Sequence, residues 1–441
     1  MTISHSVGPL FTDLYELTMG AGYFARRMTS TATFSLFIRG NSMQRKYYVA
    51  AGLEDALKEM ETSRFSAEDI AYLKASGLFG DEFLYYLKSF QFTGNVIALP
   101  EGTIFFAGEP ILEITAPLIE AQIFETYLLN SIGFQTLIAS KAARCIYAAQ
   151  GRPLIDFSMR RTQGHDAALK VARSTYITGF AATSNVLGGQ VYGIPISGTM
   201  AHSFVQAFGS DYEAFKAFAE IFPHNSVFLI DTYDTLEGAR QAVRVAKEMK
   251  AKGRAPLGVR LDSGDMVHFS RQVRKILDDA GLKDMKIYAS SGFDEFKIAD
   301  TVTRGARIDA FGVGTNLGVS ADAPFVDIIY KMVRCQGRDV RKFSPGKITL
   351  AGEKQVYRVM DESGAYQQDY IGLRNETVEG SVPMMESVMQ DGKIVRPLPS
   401  LQAIRDRFND SFSGLPEKYK KLDAAEPYPV KLTPGLEMLQ K

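Results

Sequence analysis

Residues 226–265 read SVFLIDTYDTLEGARQAVRVAKEMKAKGRAPLGVRLDSGD, two strand-like runs separated by one helix-like run. Ser226-Val-Phe-Leu-Ile-Asp231 is continuously apolar and ends on a carboxylate, as does Leu257-Gly-Val-Arg-Leu-Asp262. Between them, Leu236, Ala239, Val243, Ala246 and Met249 recur at helical spacing. Apolar strands buried on both faces and joined by amphipathic helices are the βα units of a parallel sheet.

The same rhythm extends in both directions. Pro153–Phe157, Lys286–Ser290 and Ile308–Val313 are further strand-like runs. Met266, Phe269, Val273, Ile276 and Leu277 form a helical face that closes at Gly281. The near-regular spacing, about one βα unit, favours an α/β barrel over a doubly wound sheet. The flanks differ. Residues 1–132 mix helices (Phe11–Arg26, Glu54–Met60, Ala67–Lys74) with strands at Thr31–Arg39 and between Phe92 and Pro117. The latter are punctuated by Pro100-Glu101-Gly102 and Gly108-Glu109-Pro110. Hairpins return after Val333, with turns at Ser363-Gly364 and Asp391-Gly392, and a helix covers Ser400–Phe408. The expectation is three segments, 1–132, 133–332 and 333–441, with the outer two sharing one α+β domain.

The 50 Lys and Arg residues balance the 50 Asp and Glu residues. A general nucleic-acid or membrane-surface binder would carry a basic excess, so any anion site is local. Cys145 and Cys335 are the only cysteines, too few for a disulfide framework or a Cys-x-x-Cys zinc site. The first residues lack the basic patch and apolar core of a secretory signal, and runs such as Val227–Ile230 are far too short to span a membrane. The expected location is the cytoplasm.

In parallel barrels, chemistry gathers where strands end. Asp231 closes one strand, Arg260 and Asp262 the next. Ser290, Ser291 and Gly292 close a third, Gly312–Thr315 a fourth, and Arg160 and Arg161 follow the strand ending at Phe157. Each has a plain reading: a tight turn, a solvated arginine pair, or a helix N-cap, the role expected for Asp234 and Asp294. Together they imply more. Backbone N–H groups in the glycine-bearing loops suit a phosphate, the arginines clamp carboxylate or phosphate, and paired carboxylates suit Mg²⁺ shared with substrate phosphates. That is a site for a multiply anionic substrate. His202 follows Gly198-Thr199 after the apolar Val191–Ile196, read as another strand; His165 is the rival histidine.

Six segments carry a resemblance: Thr12–Met19, Arg160–Gly164, Thr183–Leu187, Gly198–Phe204, Val259–Asp265 and Phe311–Thr315. In that order they resemble the nicotinate phosphoribosyltransferases, members of the type II phosphoribosyltransferases. The resemblance implies an α+β domain completed by the C-terminal region and packed on an irregular barrel. It implies transfer of phosphoribose from 5-phosphoribosyl 1-diphosphate to nicotinate, with coupled ATP hydrolysis through a phosphohistidine at His202. It implies that Tyr15, reaching from the neighbouring subunit of a homodimer, stacks on the pyridine ring opposite Phe157. Thr199, Arg260 and Thr315 match substrate-binding positions. Ser290-Ser-Gly-Phe-Asp294 departs from the family's Ser-Asn-Asp.

Displacement at the anomeric carbon passes through an oxocarbenium-like state. Asp231 and Asp262 are therefore candidates for holding Mg²⁺, directly or through water, or for steadying the cationic ribose. Two alternatives remain at this level: a pyridine phosphoribosyltransferase using nicotinamide or quinolinate, and a phosphosugar-binding barrel without turnover.

Overall fold

In the computed structural model, which describes residues 7–40, 45–342, 349–423 and 426–441, the apolar runs pair as a six-stranded parallel sheet. Its order is Ala182–Thr183, Leu154–Asp156, Ala310–Val313, Lys286–Ala289, Gly258–Leu261, Val227–Leu229. Val259, Ile287 and Phe311 are fully buried, as expected for strands covered on both faces. The helices Thr235–Ala251 and Met266–Asp279 supply the connections. The buried face of the first runs through Ala239, Ala242, Val245, Ala246 and Met249, so Val243 is displaced from the core by its neighbours. Gly238 is required there: a Cβ would lie 2.1 Å from the Ile230 carbonyl oxygen, where the helix crosses the strand end. With Ile196 bridged in parallel to Thr183, the result is an irregular TIM-like α/β barrel.

One expectation fails here. Val191–Ile196 is not a strand: Val191 and Tyr192 end the helix Val186–Tyr192, and Ile196 alone pairs with a neighbour. Gly193, in the left-handed region (φ 67°), ends the helix and turns the chain.

The second unit is built from both ends of the chain. A seven-stranded sheet runs Arg338–Asp339, Ile328–Cys335, Thr31–Ile38, Pro110–Pro117, Asn95–Ala98, Glu386–Gln390, Lys393–Ile394. Two N-terminal strands thus pair directly with C-terminal ones, at Phe34↔Met332 and Glu386↔Ala98. The rings of Phe34 and Tyr330 stack at 4.8 Å across one of these pairings. A four-stranded sheet, Ser381–Pro383, Lys354–Met360, Tyr366–Leu373, Val430–Leu432, completes this α+β domain.

The compact units are Lys141–Asp322 and Met1–Ser140 with Ala323–Lys441. Their boundaries differ from the expected 132/133 and 332/333. The first division falls inside the helix Glu125–Ala149, which carries no local break, and Ile328–Cys335 belongs to the terminal domain because it pairs with Thr31–Ile38. No helix among the described residues is long and apolar enough to cross a membrane.

Candidate active site

The strand ends of the barrel surround a cavity of about 590 Å³. Its walls follow from local constraints. Leu154–Asp156 ends on Asp156, whose buried carboxylate accepts from Ser158 N at 2.9 Å, Ser158 Oγ at 2.6 Å and Thr183 Oγ1 at 2.8 Å. Burial pushes the Asp156 carboxyl up, against the pull of those bonds. The turn so pinned leads into the 3-10 helix Met159–Arg161, which places Arg160 and Arg161 on the cavity wall. Phe157 also lines the cavity, its N–H bound to the Val313 carbonyl at 2.8 Å. A Cβ on Gly312 would lie 2.5 Å from the Phe157 ring, so only glycine lets the ring rest against that strand.

Arg260 points from its strand into the cavity and its Nη1 donates to the Thr199 hydroxyl. Its Nε is buried without a protein partner among the described residues, and burial lowers the guanidinium pKa against the attraction of Asp262 and Asp231. An arginine stays charged under such conditions, so the site presents a partly desolvated cation. Asp262 accepts from Ser290 Oγ through Oδ1, and its Oδ2 lies 3.7 Å from His202 Nε2. The other ring nitrogen, His202 Nδ1, is 3.1 Å from Thr232 Oγ1. The imidazole is thereby held at Nδ1 while its side chain stays 40% exposed. Ser291, Gly292, Gly314 and Thr315 complete the opposite wall; Ser291 and Gly292 both have positive φ, 88° and 65°.

Asp231 does not line the cavity. Its Oδ2 accepts from Asp262 N at 2.8 Å and Ser263 Oγ at 2.6 Å, so it braces the loop that carries Asp262, while Oδ1 is buried without a protein partner among the described residues. No group of three His, Cys, Asp or Glu side chains forms a metal cage among the described residues. The donor set fits a cation held mainly by substrate phosphates, with Asp262 as the lining carboxylate. Asp234 and Asp294 are N-caps, accepting from Glu237 N and Lys297 N at 2.8 and 2.9 Å.

The family model described as "Nicotinate phosphoribosyltransferase (NAPRTase) family" matches residues 153–359, and those of its N-terminal and C-terminal domains match 10–133 and 380–440. A nicotinate phosphoribosyltransferase of Mycobacterium tuberculosis is 46% identical over 98% of this chain and 92% of its own length. The chain belongs to the nicotinate phosphoribosyltransferase family. A Bacillus subtilis nicotinate phosphoribosyltransferase is 39% identical over 96% of this chain and 92% of its own. The crystal structure of human nicotinic acid phosphoribosyltransferase superposes with a TM-score of 0.86 at 27% identity, covering 97% of this chain and 99% of that one.

In this member of the nicotinate phosphoribosyltransferase family, the catalytic and substrate-binding candidates of the barrel line the cavity, except Asp231; Tyr15 does not line it either. Tyr15 belongs to the terminal domain, in the first turn of the helix Leu14–Ala25, and is 44% exposed. Burial and the carboxylates of Glu125, Glu16 and Asp13 push its hydroxyl pKa up. His165 starts the helix His165–Ile177, is exposed, and does not line the cavity. Ser184, Met200 and Ala201 also line the cavity; each lies inside a segment that carries the resemblance, but none was assigned a role from the sequence. The signal for Ser184 was its place at the end of Ala182–Thr183; that strand is two residues long and lacks an apolar run to announce it.

Proposed function

We propose that this chain transfers phosphoribose from 5-phosphoribosyl 1-diphosphate to the ring nitrogen of nicotinate, forming nicotinate mononucleotide and pyrophosphate in NAD biosynthesis. The observation that carries the reading is one cavity lined by the aromatic Phe157, three arginines and two glycine-bearing loops. Phe157 offers a face to the pyridine ring. The arginines suit its carboxylate and the phosphates. The nitrogen lone pair forms the bond to the anomeric carbon as the bond to pyrophosphate oxygen breaks, so no serine or cysteine nucleophile is needed. Orientation and charge complementarity do most of the work.

Bound Mg²⁺ would supply charge neutralisation at the pyrophosphate oxygens; Asp262, with Asp231 behind it through water, are the residues to hold it. His202 is the residue to accept a phosphoryl group from ATP, the co-substrate, because its ring is held at Nδ1 by Thr232 and remains accessible. A homodimer would bring Tyr15 of the partner subunit to the ring face opposite Phe157. A cytoplasmic location fits such a salvage enzyme.

The test is a product assay with nicotinate, nicotinamide and quinolinate, each with and without ATP. Nicotinate mononucleotide formed from nicotinate, faster with ATP, is the expected result. Preference for another base would transfer the activity to a related pyridine phosphoribosyltransferase. Phosphosugar binding with no product from any base would leave a binding barrel.

A further inference from the structure

Two loops of the barrel carry the candidate phosphate cradle, Ser290–Gly292 after one strand and Gly314–Thr315 after the next. Neither is held by a regular ladder. Among the described residues, the backbone N–H groups of Ser291, Gly292 and Gly314 have no protein acceptor, which leaves them free for an anion. Ser291 also holds φ at 88°, a conformation that non-glycine residues adopt only when their surroundings impose it.

The imposing contacts come from one side-chain cluster. Lys297 Nζ donates to the Ser291 carbonyl oxygen at 2.7 Å and sits over the Phe293 ring at 4.8 Å. Asp294 accepts from Lys297 N through Oδ1 at 2.9 Å and from Asn316 Nδ2 through Oδ2 at 2.9 Å. One carboxylate thus starts the helix behind the first loop and ties it to Asn316, directly after Thr315 on the second. Below them, the fully buried Phe293 and Phe311 rings pack edge to face at 4.9 Å.

We propose that Asp294, Asn316 and Lys297 are positioning residues that lock the two loops into a single pyrophosphate- or phosphate-binding cradle for the phosphosugar. None of the three lines the cavity itself. They act by fixing where Ser291, Gly292 and Gly314 present their N–H groups. This rests on the proposed reaction, and its test is separable from that reading.

The experiment compares Asn316→Ala, Lys297→Met and Lys297→Arg with wild type. It reads the KM for 5-phosphoribosyl 1-diphosphate, the KM for nicotinate and the melting temperature, and it reads calorimetric binding of inorganic pyrophosphate without any base. Asn316→Ala and Lys297→Met should each weaken pyrophosphate binding and raise the phosphosugar KM about tenfold, with the nicotinate KM within about twofold of wild type. Lys297→Arg should restore most of the loss, since it can still reach the Ser291 carbonyl. An unchanged phosphosugar KM together with unchanged pyrophosphate binding in Asn316→Ala and Lys297→Met, or equal rises in both KM values, would overturn the inference. A wild type that binds pyrophosphate but makes no nicotinate mononucleotide would overturn the proposed function alone, because the binding comparison still stands.

Discussion

His202 sits where a covalent role and a structural role make different predictions. Its ring contacts Thr232 and approaches Asp262 within ion-pair range, yet it is not buried. His202→Asn should therefore remain folded, with a melting temperature close to wild type. It should lose ATP hydrolysis and the ATP stimulation of product, and keep slow ATP-independent transfer. Incubation with γ-labelled ATP should give an acid-labile, base-stable phosphoprotein in wild type only; equal labelling of both proteins would remove the role from His202. Glu16 stands next to Tyr15 on the same helix. Burial pushes its carboxyl from 4.5 to about 7, against hydrogen bonds from Thr12 and Thr126. A carboxyl whose folded pKa is raised stabilises the fold fully below pH 4.5 and loses that contribution as pH rises through about 7. Glu16→Gln should flatten the fall in melting temperature across that window. An unchanged pH profile would mean that Glu16 titrates as an ordinary carboxylate.

At the scale of elements, the helix Glu295–Thr303 is anchored by an ion cluster rather than by propensity alone. Glu295 is fully buried and pairs with Lys141 Nζ at 2.7 Å and Arg144 Nε at 3.0 Å, while Lys141 also reaches Asp322 at 2.6 Å. Removing one member of a buried cluster leaves uncompensated charge, typically at a cost of about 3–5 kcal/mol. Glu295→Gln should lower unfolding stability by an amount on that order, read by denaturant titration, whereas Lys275→Gln, which loses only an exposed i,i+4 pair with Asp279, should change it by under about 0.5 kcal/mol. A small loss for Glu295→Gln would mean that solvent relaxes into the cluster. The helix caps at Asp234 and Asp294 were legible in the sequence because a cap needs only residues a turn apart. The strand expected at Val191–Ile196 was not: apolar residues there also suit the end of a short helix, and only pairing partners decide between them.

For the whole molecule, the terminal domain is one body because distant segments share a sheet, and Tyr15 lies on its surface, away in sequence from every cavity residue. If Tyr15 of the partner subunit completes each site, a mixture of Tyr15→Ala and His202→Asn chains should complement. Half of the sites in a mixed dimer would then carry both substitutions and half neither. Co-refolding the two variants, each deficient in ATP-dependent activity, should restore that activity toward about a quarter of wild type on random pairing, a statistical figure that follows from two-fold symmetry. No gain over the separate variants, or a fully active monomer by light scattering, would rule out shared sites.

The sequence by itself determined the βα rhythm, the turns and caps, and the strand-end positions of nearly all cavity residues, because periodicity and turn chemistry are local properties. It also placed the family motifs in order along the chain. Only the tertiary structure decided that Asp231 braces Asp262 rather than facing the cavity, and that His165 stands outside it. It alone moved the domain boundaries, since Ile328–Cys335 joins whichever sheet offers it a partner. The coupling of the two loops through Asp294 and Asn316 joins residues 22 positions apart. Such contacts leave no periodic trace, because they are set by where strands end side by side in the barrel and not by neighbours in the chain.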